Sequence, residues 1–548
     1  MLIFILPMFF NFNYLYMAQE TQWLALTLFA VGLLLANSLK RQSMAFSFID
    51  LVLLLFAIWW MIRVDPNKEN SPNSLATSLY LISLVLLKDK RSSIKLSFFV
   101  ISLVSISWNL WGVISFWFNP RVFFYYGPFN QPNHYQYLNL LALFGSTYFG
   151  FRARETISKK KFILLLSIQS VLVFASVFLY GGKMVLISFF AISTLLVIKR
   201  SIIKANSIQL SFKITNIWGV VLVVVIFIGS AWLLVALPTI KGYRDSFSSR
   251  ETMNMATFSL IHSEGGLGVG AGEYGYKILD YWPNAENVPY LADLYPGGAH
   301  NLLLNIWAEL GLPGIILAIL ILGLPLGLSI RLFLKRSPGS SIIFPFFIGF
   351  YLMASSDYTS QGFLSAILLS YFIPVLIYDR YVGKRFFVID YKTRALLSIA
   401  LGIVLLFNGY QQIQQARADH LMRDVGLKRN VTPSDIPNFE KSLSIRSNSV
   451  ALFYGSWLFL QNGDLKTAML QVMELEKISG NKWPIRERKA QILIQEGKCN
   501  EAKYVAKPFL AYRGINANKL LRKQLEFCQN GESGKLYIGE DIDGSPAR

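Results

Sequence analysis

The sequence predicts an all-α protein, a polytopic membrane helix bundle followed by a polar helical domain. Three observations predict this fold class. Hydrophobic residues make up 53% of the chain and charged residues only 15%, whereas soluble domains carry about 25% charged residues. Apolar runs long enough to cross a bilayer as helices recur from the N-terminus to about residue 410. After residue 411 the sequence becomes polar while keeping a helical pattern.

The apolar runs predict about 12 or 13 transmembrane helices. The first run has neither a basic n-region nor a small-residue cleavage site, so we interpret it as a membrane helix rather than a cleaved signal peptide. The run at 301–330 should break near Pro313. The predicted spans are 1–16, 21–38, 46–63, 73–88, 94–116, 134–151, 161–180, 183–199, 214–237, 301–330, 341–355, 360–379 and 395–411.

The charged residues predict the orientation. A net charge of +20 would suit a nucleic-acid partner, but 23 basic residues lie in loops that alternate with short loops holding only four. This pattern follows the positive-inside rule, so we expect no nucleic-acid partner and place the basic loops in the cytoplasm. The loop 238–300 and everything after residue 411 then lie outside, in the periplasm of a Gram-negative cell. We therefore expect a multi-pass protein of the bacterial inner membrane.

These patterns predict five segments. They are an N-terminal transmembrane bundle, a large periplasmic loop, the C-terminal transmembrane helices, a periplasmic helical domain and a disordered tail, at 1–237, 238–300, 301–411, 412–530 and 531–548.

The polar domain contains an internal repeat. The segments that start at Gln461 and Gln495 align with an offset of 34 residues and share a glycine and an alanine at matching positions. Thirty-four residues is the tetratricopeptide period, a helical hairpin with a turn between its helices. Cys499 and Cys528 both lie in this domain. In an oxidising compartment they would form a disulfide, and the alternative is two free thiols.

The outward loops hold the candidate chemistry. Arg121, Lys183 and Arg250 are cations on the side that is otherwise poor in them. Arginine and lysine suit a diphosphate, the first as a bidentate fork and the second as a point charge. Each also has a structural interpretation, because such cations snorkel at the membrane surface. Arg250 in addition could pair with the neighbouring Glu251.

His300 is one of only four histidines, and it lies where the large loop meets an apolar helix. A neutral imidazole there could accept a proton from a hydroxyl or hydrogen-bond a phosphate. The alternative is a plain helix cap, for which Asn301 is the better residue. Glu309 follows in the same apolar helix and needs a partner there.

Two further groups of residues have both a functional and a structural interpretation. Gln131, Asn133 and His134 form a polar cluster at a predicted helix start, which Pro132 and a cap would also explain. The glycine-rich segment 265–272 follows no strand of a βαβ unit, so a dinucleotide site is not expected. Its turn could let the backbone pack closely or could offer N–H groups to an anion.

Three segments, in this order, resemble the O-antigen ligase and polymerase superfamily, most closely the PglL-type bacterial protein O-oligosaccharyltransferases. They are GPFNQPNHYQYLNLLAL, SSRETMNMATFSLIHSEGGLGVGAGEYG and GGAHNLLLNIWAELGLPGIIL. The resemblance covers about residues 1–410. It implies a GT-C-like membrane fold and en bloc transfer of a glycan from undecaprenyl diphosphate to an acceptor, with no cofactor and no metal.

The resemblance also implies roles for residues. It marks His300, Arg250 and Gln131 as catalytic, and Lys183 and Tyr358 as substrate-binding. Asn133, His134, Asn301 and Glu309 are further expected substrate contacts. Relatives often have Ser-Arg where this chain has Gly182-Lys183, so the bidentate fork is lost at that position.

The expected partners are the lipid-linked oligosaccharide, the membrane and an acceptor protein such as pilin. Ligation to lipid A core, or glycan polymerisation, is the same chemistry on another acceptor. A lipid-glycan flippase is a third hypothesis, but a transporter should show internal repeats and midplane charges, whereas the polar residues here cluster on one face.

Overall fold

The protein is described here by a computed structural model. It describes residues 18–69, 71–87, 241–264, 266–281, 298–299, 301–334, 343–345, 347–349, 386–427, 432–480, 483–512 and 519–530, with single positions between 106 and 195. The described residues are mostly helical. The spans predicted within 1–16, 94–237 and 351–385 lie outside this part of the chain except at those single positions, and the tail 531–548 lies outside it entirely.

The N-terminal helices are α1 (Ala18–Ser38), α2 (Phe48–Ile62) and α3 (Ser71–Leu86). Next come α4 (Lys241–Ser263), the short α5 (Tyr274–Lys277) and α6 (Leu302–Leu334). The long helix α7 spans Tyr391–Leu427. Six helices complete the described chain, namely α8 (Ile436–Ile445), α9 (Ser449–Gln461), α10 (Leu465–Ser479), α11 (Trp483–Gln495), α12 (Cys499–Tyr512) and α13 (Lys519–Gln529).

Two short strands modify the all-α prediction. β1 (Met44–Phe46) pairs antiparallel with β2 (Phe387–Ile389), and Phe46 stacks on Phe387 with ring centroids 4.5 Å apart. Each strand directly precedes a long apolar helix, so the ribbon joins α2 and α7 at one end of the molecule.

The long helices pack in a layer in which α7 lies along α1 and against α3, while α2 packs on α3 and α6. Buried polar contacts fix their register. Thr27 and Tyr80 share a hydrogen bond of 2.6 Å between α1 and α3. Asn408 donates its side-chain N–H to the Pro72 carbonyl across 3.1 Å. Polar groups in an apolar layer need such partners, so these contacts specify one alignment of the helices.

One end of this helix layer carries the strand ribbon, and the other end contacts the C-terminal helices. Arg394 donates to the Gln42 carbonyl and to Asn37 at the end that carries the strand ribbon. At the other end, Lys68 donates to the Lys477 carbonyl across 2.8 Å. The basic segments around residues 40 and 390 therefore meet at one end, and the 63–70 loop meets the C-terminal helices at the other.

Two described helices are long and apolar enough to cross a membrane, Leu302–Phe333 and Tyr391–Met422. Both coincide with predicted spans. The predicted break of the first one occurs at Gly311, two residues before Pro313, where φ is 66°. The second continues well past residue 411 into the polar region.

The C-terminal helices form hairpins. α9 and α10 meet across a turn at Gly463, and α11 and α12 meet across a turn at Gly497, with φ of 78° and 74°. Ala468 and Ala502, which match in the repeat, are both completely buried. Cys499 and Cys528 are joined by a disulfide, with their Cα atoms 5.6 Å apart. Of the two alternatives that the sequence left open, the structure shows the bridge and not two free thiols.

Candidate functional site

The segment 298–310 starts with a well-formed helix cap. The side-chain oxygen of Asn301 accepts hydrogen bonds from the backbone N–H groups of Leu303, at 3.1 Å, and Leu304, at 3.2 Å. A helix start leaves such N–H groups without helical partners, and asparagine is among the best residues to bind them. Asn301 is therefore the N-cap of α6, the role that the sequence analysis held open for its neighbour His300.

The half-helix 302–310 ends within the apolar run, where its last carbonyls lose their helical partners. Three groups from elsewhere in the chain bind them. Val269 N–H donates to the Ala308 carbonyl across 2.8 Å, and Gly270 N–H donates to the Glu309 carbonyl across 2.9 Å. The Trp59 indole donates to the Leu310 carbonyl across 2.8 Å. The break is therefore closed by hydrogen bonds, as burial of a helix end requires.

The glycine-rich segment makes this closure possible. A Cβ at Gly268 would lie 2.5 Å from the Gly311 nitrogen, and a Cβ at Gly311 would lie 2.2 Å from the Gly266 carbonyl oxygen. Both residues also have positive φ, 80° and 66°, which glycine adopts without steric cost. Of the two interpretations left open, the structure shows close backbone packing, and the N–H groups of Val269 and Gly270 are used on the helix rather than on an anion.

The loop after α2 contacts the glycine-rich segment 265–272, called the glycine turn below, from the other side. Arg63 donates to the Gly268 carbonyl across 2.7 Å, and its own carbonyl accepts from Ala271 N–H across 2.9 Å. Lys68 lies 3.9 Å from the buried carboxylate of Glu273. Burial raises the pKa of Glu273 to about 7, against the opposing effect of the Lys68 charge. Arg63 and Lys68 thus both have structural partners in this turn.

Helix α4 is fastened to the same unit. Thr257 shares a hydrogen bond of 2.8 Å with the Tyr274 hydroxyl. Burial raises the pKa of Tyr274 and the charge of Glu309 raises it further, whereas the hydrogen bond with Thr257 lowers it. Glu309 itself is 1% exposed. The half-helix thus carries a buried acidic residue where its backbone packs against the glycine turn.

The C-terminal helices share this core. One cluster of buried residues combines members of α4, the glycine turn and the half-helix, including Met253, Tyr274 and Ala308, with members of α11 to α13 such as Leu493 and Leu525.

Polar contacts add to this packing between the C-terminal helices and the preceding part of the chain. Arg486 pairs with Asp280. The Glu69 carboxylate accepts from the Ser449 and Ser479 hydroxyls at 2.9 and 3.2 Å. The C-terminal domain is therefore packed onto the large loop and the half-helix rather than hanging from a linker.

The predicted site residues divide into three groups. Asn301 and Glu309 belong to the described half-helix, as given above. Arg250 lies within α4, three residues before the buried Met253, and only its backbone is described. His300, Gln131, Asn133, His134, Lys183 and Tyr358 lie outside the described residues, so their assigned roles stay predictions. His300 follows the buried Ala299 and precedes the cap residue.

Comparison with known families tests the resemblance. Residues 168–319 match the family model described as O-Antigen ligase. The match includes Lys183, Arg250, His300, Asn301 and Glu309, whereas Gln131 and Tyr358 fall outside it. Together with the two apolar helices, the match supports a membrane protein of the O-antigen ligase superfamily with a glycosyl-transferring, ligase-type activity.

The match covers less than half of the chain, and it does not distinguish the PglL-type branch. No curated protein and no solved structure matches the chain.

Sequence reasoning did not single out three residues that hold the glycine-rich segment and the half-helix in place, namely Trp59, Arg63 and Asn305. Asn305 could have been noticed, because it is a polar residue within the apolar run LLLNIW and so requires a partner. The contacts of Trp59 and Arg63 join segments 251 and 205 residues apart, and no local pattern predicts such pairings.

Proposed function

We propose that the protein is a membrane glycosyltransferase that moves a preassembled oligosaccharide en bloc from undecaprenyl diphosphate to Ser or Thr hydroxyls of exported proteins such as pilin. The observation that carries this proposal is the O-antigen ligase match at 168–319, which contains Lys183, Arg250 and His300. The finer assignment to protein O-oligosaccharyltransferases rests on two features. One is the resemblance of the segment QPNH, residues 131–134, to the PglL-type branch, and the other is the C-terminal helical domain.

The helix cap supports a chemical role for His300. The rival interpretation of this histidine was that it caps the helix, and Asn301 already accepts both N–H groups at the helix start. Capping therefore gives no reason for a histidine at position 300. An imidazole at the start of a half-helix whose cap and end are both closed by hydrogen bonds suits proton transfer.

The proposed reaction is a single displacement at the anomeric carbon. His300 accepts the proton of the acceptor hydroxyl, or alternatively steadies the diphosphate. The hydroxyl oxygen forms the new glycosidic bond as the bond from the anomeric carbon to the diphosphate oxygen breaks. The electron pair leaves with undecaprenyl diphosphate. Lys183 and Arg250 stabilise its growing negative charge, while Gln131 and Tyr358 position the sugar or the diphosphate. No redox step and no cofactor are required.

The site would face the periplasm. The positive-inside pattern supports this orientation, and so does the disulfide between Cys499 and Cys528, since disulfides persist in oxidising compartments. The C-terminal domain lies at the same end of the molecule as the glycine turn.

We propose that the repeated hairpins of this domain are tetratricopeptide-like and bind the acceptor protein, as helical repeats commonly bind peptides.

Deletion of the gene tests the proposal. Mass spectrometry of pilins and gel analysis of lipopolysaccharide are compared in the deletion strain and after complementation with wild type or His300→Ala. Loss of protein-linked glycan with intact lipopolysaccharide, restored by wild type alone, is the expected result. Intact pilin glycans with altered lipopolysaccharide would support the lipid A ligase or polymerase alternative instead. Full activity of His300→Ala would overturn the catalytic assignment.

A further inference from the structure

One buried polar side chain in the half-helix has no role in the reaction described above. Asn305 is 2% exposed, and its side-chain oxygen accepts a hydrogen bond of 2.9 Å from the backbone N–H of Ala299. Its own backbone N–H donates to the Asn301 carbonyl, also across 2.9 Å. Asn305 therefore hydrogen-bonds to both neighbours of position 300, Ala299 and Asn301.

The second of these contacts is an ordinary helical hydrogen bond, which any residue except proline would make at position 305. The first depends on the side chain. It fixes a loop residue, Ala299, that precedes the first turn of the helix, and Ala299 is itself only 1% exposed. If the Asn305 side-chain oxygen were removed, the buried Ala299 N–H would lose this acceptor. The segment before the helix would then have to shift to bring the N–H to another acceptor.

We propose that Asn305 is a positioning residue for His300. The inference rests on the proposed function, because it matters only if His300 takes part in transfer. Asn305 acts by holding the backbone on both sides of the histidine, and it does not touch the substrate. Displacing a catalytic group by about 1 Å can cost about 100-fold in rate, so the effect of its loss should fall on kcat and not on binding of the donor.

The test compares Asn305→Leu with a matched control, Asn408→Leu. Asn408 is also buried, at 1% exposure, and it makes one side-chain hydrogen bond, to the Pro72 carbonyl, elsewhere in the helix layer. Both changes remove one buried amide and keep the number and branching of the side-chain heavy atoms. The purified full-length variants are assayed with an undecaprenyl-diphosphate-linked oligosaccharide and a purified pilin subunit, and their thermal stability is measured.

Asn305→Leu should lower kcat by about 100-fold with the KM for the donor within about threefold of wild type. Asn408→Leu should lose stability with kcat within about threefold. Asn305→Asp, which keeps an oxygen at the same position, should recover at least a tenth of the wild-type kcat. If Asn305→Leu does not fold, Asn305→Gln replaces it, because its longer side chain keeps the amide but moves the acceptor.

Equal kcat losses in Asn305→Leu and Asn408→Leu would overturn the inference, as would a loss that appears only in KM. His300→Ala is measured in the same assay. If that variant is inactive while Asn305→Leu behaves like the control, only the positioning role fails. If His300→Ala is fully active, the proposed function itself fails.

Discussion

Gly268 and Gly311 lie with their backbones in direct contact, so that a Cβ on Gly268 would come within 2.5 Å of the Gly311 nitrogen. One glycine belongs to the large loop and the other to the break in an apolar helix. This contact joins the loop that carries Arg250 to the helix that follows His300.

Gly311→Ala should destabilise the protein strongly. The positive φ alone costs roughly 1–2 kcal/mol for a residue with a Cβ, and the clash with the Gly266 carbonyl adds about 1–3 kcal/mol of overpacking. Gly463→Ala is the matched control, because Gly463 has φ of 78° and open space around it. Thermal unfolding of the two variants in detergent measures the difference. Equal losses would show that the close approach at Gly311 contributes nothing.

The stability of the glycine turn should depend on pH through Glu273. Burial raises the pKa of this carboxyl from 4.5 to about 7, so the folded protein holds the proton more tightly than the unfolded chain does. Stability from this group is therefore present at low pH and is lost as the pH rises from about 4.5 to about 7. Glu273→Gln cannot ionise, so its melting temperature should exceed that of wild type increasingly across this window.

A second variant checks the cause of this effect. Lys68 favours the charged form of Glu273, so Lys68→Met should move the window to higher pH. Parallel melting curves for wild type and Glu273→Gln at all pH values would contradict the assignment.

The disulfide should stabilise the C-terminal helices substantially. Cys499 and Cys528 are 29 residues apart, and closing a loop of this length restricts the unfolded chain by about 3–4 kcal/mol in the chain-entropy model. The double variant Cys499→Ser/Cys528→Ser should therefore melt at a lower temperature. A reducing agent should lower the melting temperature of wild type but not of the variant. A wild-type protein insensitive to reduction would count against this contribution.

Asn301 should tolerate changes that preserve a cap. Asn301→Ala removes the acceptor for Leu303 and Leu304 N–H and should cost about 1 kcal/mol, whereas Asn301→Ser and Asn301→Asp should stay close to wild type. Thermal unfolding measures these changes. Transfer activity measured alongside separates the cap from the predicted substrate contact, since loss of transfer at unchanged stability in the Ser and Asp variants would support that contact. An unaffected Asn301→Ala melting temperature would contradict the cap.

The sequence was most informative where the physical cause is local. Apolar run length predicted spans at 301–330 and 395–411, which coincide with the helices Leu302–Phe333 and Tyr391–Met422, and the repeat offset located the turns at Gly463 and Gly497. The break at Gly311 followed from Gly and Pro in one run. The pairings of Trp59 and Arg63 with segments far along the chain could not be predicted, because they depend on how helices pack. The strand ribbon was missed because three-residue strands leave little pattern.

The unbroken helix α7 restricts how the C-terminal domain can move. At 1.5 Å per residue, its 37 residues span about 55 Å, of which a bilayer core takes up about 30 Å. The remaining length would extend beyond the lipid as a continuous helix, and α8 and α9 pack against α7. In the proposed orientation the domain is thus kept at a fixed height above the lipid surface. In the proposed function, an exported acceptor would therefore have to reach the domain at that height.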